Sequence, residues 1–555
     1  MKSTIKNLLT FSLLALVISS CGKKKTVNVL IPEDAAIVFH VNAASLGTKL
    51  TWNEIKNSEW FKMAAKEGPS GDFEKKMFED PENSGIDLKS DMYLFIQKSG
   101  SDAYLVTQGK VKDATAFETT VKKMAEDREI KKDGSLNYAG DEKGCISWNT
   151  DRFIAVFYDE NFQGSGTRFG GRTRSNITAD SIFNHAKELY SLKKSNSLGN
   201  DSRFASIMNE KGDMHFWLNP GSLIKGSIPK DLGGLFNATT LLEGNITGYT
   251  LNFDNGKITA SSKSWFGKEL TALIKKYRPG NIDADMLKRI PGQNVSLVIA
   301  MNYPPEGLKE FLKLLGVDGI LNGVVGMLGI SIDDFIKANK GDLLFAASDF
   351  SVQDKTKSYD FSDSQPTYTK SEPDAKILFA TSINDKPSFD KLVDILKKVI
   401  GKERQTEELD KIKYTVKDNW FIAGNAQESI DGFAAGKKTD HAFITKISGH
   451  PIGAYIDLQK ILGSIQTREA ENYKNVLSGD SKIWDNIIFY GGEMKDGATT
   501  GYFEINMIDK NTNSLKQLNN FITTLAKTVK NAKDSGMSDR DNPAIDTIMT
   551  LPVVK

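Results

Sequence analysis

Among residues able to do chemistry, Cys21 stands in the most telling context. It follows Ile18-Ser19-Ser20, at the end of an apolar run from Leu8 to Ile18 that opens behind Lys2 and Lys6. A run of roughly 11 apolar-rich residues is too short to cross a hydrocarbon core of about 30 Å, and its basic start and small-residue close are the pattern of a secretory signal.

A cysteine directly after those small residues makes the segment resemble a bacterial lipobox. That resemblance implies a diacylglycerol thioether on Cys21 and a mature, acylated N-terminus there. Lys23, Lys24 and Lys25 follow as a tether. Each such charge contributes about 1 kcal/mol beside an anionic membrane surface.

The other reactive side chains form no recognisable constellation. Cys145 would be left without an intramolecular disulfide partner, and in Gly144-Cys145-Ile146-Ser147-Trp148 it reads as a small buried apolar residue. His40 and His215 sit at related places in two apolar strands, and His441 and His450 flank a short segment read as a strand. None has metal-ligand spacing. Gly164-Ser165-Gly166 and Gly170-Gly171 lack the lysine and hydroxyl ending of a phosphate loop. The acids Asp72, Glu74, Glu79, Asp80 and Glu82, and the pair Asp333-Asp334, lack the alternating oxygens of a calcium loop and read as solvated faces. No catalytic residue, metal site or cofactor is assigned.

Composition sets the class. With 39% apolar and 26% charged residues over 555 positions, the chain has a globular composition and the length for several cores. Its 72 basic residues nearly balance 71 acidic ones, which argues against a nucleic-acid footprint.

Internal repetition organises the elements. Four segments, from Ala35, Asp213, Asn294 and Pro451, each read as a short apolar strand running into a leucine-bearing helix, with Asn42, Asn219, Asn302 and Asp457 in or near the cap position. Each is followed by two hairpin strands and an amphipathic helix. Phe117 and Val121 mark the helix stripe in the first block, Phe389 and Val393 that in the third. Asp254-Asn255-Gly256 is a tight hairpin turn.

The expected fold is therefore α+β: tandem divergent repeats of strand-helix plus β-hairpin-helix, with antiparallel sheets packed with helices. The boundaries are 1–20 for the signal, 21–30 for the tether, and 31–160 for the first unit. A linker with a helix at 161–212 precedes units at 213–280, 281–425 and 426–530, and a polar tail occupies 531–555.

The lipobox, Ile31-Pro32-Glu33-Asp34-Ala35-Ala36 leading into a strand, Ser45-Leu46, Trp60-Phe61 and Lys211-Gly212-Asp213-Met214-His215-Phe216-Trp217-Leu218-Asn219 together resemble a family of Bacteroidota lipoproteins known only as a domain of unknown function. The resemblance spans the mature chain and implies no catalytic residues. Surface-exported members of that group tend to carry acids after the acylated cysteine. Gly22-Lys23-Lys24-Lys25 departs from this pattern, which places the protein in the envelope, anchored to the outer membrane and facing the periplasm.

Two regions suit binding. Between Ser351 and Asp374 an insertion carries Tyr359, Phe361 and Tyr368, expected as a loop and a candidate recognition element. Gly319 to Gly329 alternates glycine with Ile320, Leu321, Val324, Val325, Met327 and Leu328. Core packing is the first expectation there, because glycine lets elements approach closely, and an apolar contact surface is the second. The function expected is non-catalytic binding or assembly, through the N-terminal lipid at the membrane and through repeat surfaces toward an envelope protein, glycan or apolar ligand. A hydrolase with an unrecognised site is the alternative.

Overall fold

The structure is a computed structural model describing residues 27–67, 81–99, 102–124, 129–158, 177–224, 242–358, 367–402, 412–466 and 483–534. Cys21 with its lipobox, the glycine-rich stretch at 163–172, Tyr359, Phe361 and the tail beyond Asp534 lie outside these residues, while 531–534, read as tail, end the helix Ser514–Asp534.

Segments rich in β-branched and aromatic residues form strands, as such side chains favour a pleated surface. In chain order these are β1 (Ile37–Val41), β2 (Met92–Ser99), β3 (Asp102–Lys110), β4 (Lys131–Asp133), β5 (Leu136–Gly140), β6 (Gly144–Trp148), β7 (Arg152–Tyr158), β8 (Met214–Leu218) and β9 (Ile246–Asp254). They continue with β10 (Lys257–Trp265), β11 (Val295–Asn302), β12 (Asn339–Ser358), β13 (Thr367–Ile383), β14 (Lys413–Lys417), β15 (Trp420–Gly424), β16 (Ile452–Asp457), β17 (Trp484–Lys495) and β18 (Ala498–Met507).

All are joined in one antiparallel sheet, where several sheets were expected. Its seam is the pairing of β10 with β18, from Lys257 opposite Asn506 to Ser264 opposite Thr499. Outward from the seam, one arm runs β9, β8, β1, β2, β3, β7, β6, β5, β4. The other runs β17, β16, β11, β12, β13, β15, β14. In one arm Val38 faces Phe95, then Val106, then Val156. In the other Val298 faces Ala346, then Leu378, then Gly424.

Turn chemistry fixes the hairpins. Asp418 and Asn419 both take positive φ (49° and 60°) between β14 and β15, and Asp496-Gly497 does the same (51° and 80°) between β17 and β18, the pairing of angles that matches strand twist. At the β9–β10 turn only Gly256 is positive, at 66°. A Cβ there would also fall 2.4 Å from the Lys510 Cα.

One face of the sheet is roofed by helices. In the first arm Val38, Phe95, Val106, Ile154, Val156 and Trp217 pack against Ile182, Phe183, Ala186 and Leu189 of the helix Ala179–Tyr190, with Leu198 and Phe204 beyond. The 3.6-residue spacing of these apolar positions puts them on one stripe. Thr178 caps that helix, accepting from Ser181 N. Residues 177–208, which fall inside the segment read as a linker, thus supply the first roof. In the second arm Val298, Ala300, Leu344, Leu378 and Ile422 meet Met286, Leu287, Ile430, Phe433, Phe443, Ile444 and Ile447. Each fully buried side chain of this size contributes about 1.5–3 kcal/mol of transfer free energy.

Three local readings differ from expectation. The insertion from Ser351 to Asp374 is largely an extension of β12 and β13, with Ser358 opposite Thr367, because its Thr- and Val-containing ends continue the ladder. Asn302 does not cap a helix: Tyr303 and Pro304 intervene, and its side chain instead accepts from Gly280 N at 2.9 Å and donates to Asp342 at 2.6 Å. His441 and His450 flank the short helix Ile444–Ile447, not a strand.

Candidate functional site

Period-two alternation assigns every strand residue to one of two faces. In β1, Val38 and His40 turn to the roofed face, and Ile37, Phe39 and Val41 to the other. Titratable chemistry collects on the roofed face and apolar surface on the opposite one.

His40 lies directly opposite His215 of β8, with Nδ1 to Nδ1 2.9 Å, and Tyr93 stacks on the His40 ring at 4.7 Å. His215 Nε2 lies 3.1 Å from the Glu210 carbonyl. That carbonyl can only accept, so His215 is protonated at Nε2 and takes a hydrogen bond at Nδ1 from His40. His40 Nε2 is left without a hydrogen-bond partner, 3.4 Å from Asp91 Oδ1. Burial, the largest influence, holds both imidazoles below their ordinary value of 6.5.

Beside them the Glu210 carboxylate accepts from Thr250 Oγ at 2.6 Å and Ser261 Oγ at 3.2 Å and pairs with Lys263. Asp213, only 1% exposed, accepts from Ser45 Oγ at 2.6 Å and Phe253 N at 2.6 Å, and pairs with Lys49 at 2.5 Å. Asp213 thereby ties β9 to the first helix. Among the described residues no histidine nitrogen reaches a hydroxyl or thiol, and no three His, Cys, Asp or Glu side chains gather as metal ligands. Cys145 is buried, and burial pushes its thiol up, away from the thiolate that a nucleophile needs.

The opposite face is an apolar floor, covered toward its outer strands by the helices Ala114–Met124, on Trp148 and Phe153, and Lys386–Lys402, on Phe421, and partly exposed between them. Phe39 contacts Phe216 at 4.7 Å between ring centres, and Phe216 contacts Tyr249 at 5.8 Å. Phe39, Tyr249 and Phe157 remain 37%, 39% and 43% exposed. From Phe157 on β7 to Tyr249 on β9 is five strand spacings, about 24 Å. The succession of opposed residues carries the same face across the seam through Ser262, Gly501, Gly491 and Ile452 to Met301, beside the exposed Ile299. Small residues keep the seam low: a Cβ on Gly501 would meet Ser262 Oγ at 2.8 Å. On β1, β8, β9, β16 and β11 no floor position is charged.

Helices stand at the strand ends. Leu46 of the helix Ala43–Lys49 packs with Met214, Leu251 and Phe253 at one edge. In the second arm Leu458–Gln466 lies against β12 and β17, where Ser464 Oγ donates to Phe350 O at 2.8 Å. A polar cap residue begins this helix, Asp457 accepting from Lys460 N at 2.9 Å.

The glycine-rich segment forms the helix Asp318–Met327, in which no residue is buried. Met327 is 89% and Val324 55% exposed, Ile320 and Leu328 are exposed, and Leu321 and Val325 are half-buried. Core packing is overturned here. Gly319, Gly323, Gly326 and Gly329 have nothing within 4 Å of where a Cβ would stand, so they mediate no close approach. Tyr368 lies on β13 opposite Lys357, and Tyr359 and Phe361 lie outside the described residues, so the three are not shown as one site. Phe39, Phe157, Phe216 and Tyr249 were not singled out from sequence. The available signal was the presence of apolar residues on both faces of β1 and β8.

The family model described as "Domain of unknown function (DUF4836)" matches residues 27–467, and the chain belongs to this family. No curated protein matches it. The solved structure of crystal form I of TP0453 is similar over 45% of this chain and 86% of that one, at 11% identity with a TM-score of 0.21, too low to support an argument.

Proposed function

We propose that this DUF4836 protein is a non-catalytic binding protein of the cell envelope, lipid-anchored at Cys21 and facing the periplasm, which holds an apolar ligand on the partly exposed apolar floor of its sheet. The observation that carries this reading is the aromatic row Phe39, Phe216 and Tyr249, in mutual contact yet partly exposed. Contiguous exposed apolar surface of this kind usually marks a ligand or partner site. An acyl chain suits a floor of mixed aromatic and aliphatic residues; a sugar would require polar groups between the rings, and Ile37, Leu94, Ile96 and Leu218 occupy those places.

The anchor and address rest on the signal-like run, on Cys21 and on the lysines after it. The matching strand order on either side of β10–β18 favours reading the two arms as divergent copies. A hydrolase is disfavoured by the pairing of His40 with a second imidazole. The test is binding of a fluorescent fatty acid to the purified chain. Phe39→Ser with Tyr249→Ser should abolish binding while the protein stays folded; unchanged binding would refute the site.

A further inference from the structure

A cleft of about 690 Å³ opens where β2 begins, β3 ends and β7 begins, and residues 28–30 form its remaining wall. Its charged side chains are Lys89, Lys110 and Arg152 against the single carboxylate of Asp91, which is turned toward His40. Among the described residues neither Lys89 nor Lys110 has an ion-pair partner. Arg152 is held in place, with Nη2 donating to Tyr190 O at 2.9 Å and the guanidinium 4.5 Å over the Tyr190 ring. The guanidinium makes no other hydrogen bond among the described residues, and Arg152 lines the cleft. Gln108, only 8% exposed, also lines the cleft and has no side-chain hydrogen bond among the described residues. Its amide is not among the fully buried polar groups left without a partner, so it is open to the cleft and available as a donor.

The second arm provides an internal contrast. A cleft of about 460 Å³ occupies the corresponding strand ends. By register, Lys89 and Asp91 correspond to Lys340 and Asp342, but Lys110 corresponds to Ser382 and Arg152 to Trp420. There the acids Asp283, Asp285, Asp342 and Asp418 outnumber Arg289 and Lys340. The cationic set thus belongs to the first arm and is no by-product of strand layout.

We propose that the first-arm cleft binds a phosphate or phosphoester group, with the Arg152 guanidinium and the Lys110 ammonium as its charge partners and the Gln108 amide as a neutral donor. Arg and Lys are suited to such oxyanions, the first as a planar fork and the second as a point charge. Two sources share this chemistry, a soluble phosphorylated metabolite and the headgroup of an anionic phospholipid. This site is separate from the apolar floor, so either proposal can fail alone.

The experiment is calorimetric titration of the full chain in a maltoside detergent, at low salt, with inorganic phosphate and with glycerophosphoglycerol, the soluble headgroup of phosphatidylglycerol. Binding of phosphate as tightly as the diester supports a soluble phosphorylated ligand; preference for the diester supports the headgroup. In either case Lys110→Ala and Arg152→Gln should each weaken binding about tenfold or more, and Lys340→Ala should leave it unchanged. Lys110 is exposed, so its variant keeps the test valid if loss of the Arg152 contact to Tyr190 disturbs folding. Binding of neither probe, or binding indifferent to Lys110→Ala, would overturn the proposal.

Discussion

His40 and His215 share one hydrogen bond, Nδ1 to Nδ1 at 2.9 Å, across the β1–β8 pair beneath the first roof. Burial lowers the folded-state proton affinity of both, and of His185 and His441. Below pH 6.5 the unfolded chain therefore takes up protons that the folded chain refuses. The associated stability is present above that pH and is lost as pH falls. Each refused proton steepens the slope by up to about 1.4 kcal/mol per pH unit. The thermal midpoint should be level between pH 7 and 8 and fall from 6.5 toward 5. His40→Asn with His215→Asn keeps amides where the Nδ1 atoms meet, and should flatten part of that fall. An unchanged slope in the double variant would separate the pair from the pH response.

Asp213 anchors the first helix to the sheet through Ser45, Lys49 and Phe253 N. Removing one member of a buried ion pair typically costs about 3–5 kcal/mol, because the remaining groups lose their partner. Asp213→Ala should approach this range in chemical denaturation. Asp213→Asn, which keeps an acceptor for Phe253 N, should cost less. Equal losses for the two would mean that the hydrogen bonds contribute nothing beyond charge.

On the helix Asp318–Met327, Met327→Asp and Val324→Asp should change stability by no more than about 0.5 kcal/mol, as is usual at exposed positions. Ile336→Asp, in the next helix and buried, should cost several-fold more, because it places an unpaired charge out of water. Thermal melting of the three variants decides the matter. A large loss at Met327 would return the helix to a packed role.

Much of the local fold is legible in the residue pattern. The Asp-Asn and Asp-Gly turns mark two hairpins, and Phe117 with Val121 and Phe389 with Val393 mark core-facing helix stripes. The β10–β18 seam is not legible, since strands some 240 residues apart pair through backbone groups that every residue carries. Nor is the apolar floor: Ile37 and Phe39 read as core when both faces of a strand are apolar, and only the packed structure shows that Phe39 and Tyr249 stay partly exposed on theirs. The His40–His215 contact depends on register between distant strands. In the other arm Ala300 and Gly453 occupy the matching pair, so the histidines are no requirement of the layout. At Gly319 to Gly329 composition alone could not separate packing from exposure, because glycine serves both.

The most direct test of the apolar floor as a binding site is extraction and mass spectrometry of small apolar molecules carried by the natively purified chain, compared with the Phe39→Ser, Tyr249→Ser variant at equal yield and with a matching circular dichroism spectrum. An acyl-chain compound is expected in near-stoichiometric amount in the wild type and is expected to be lost from the variant. The same compound retained at the same ratio in both would contradict it.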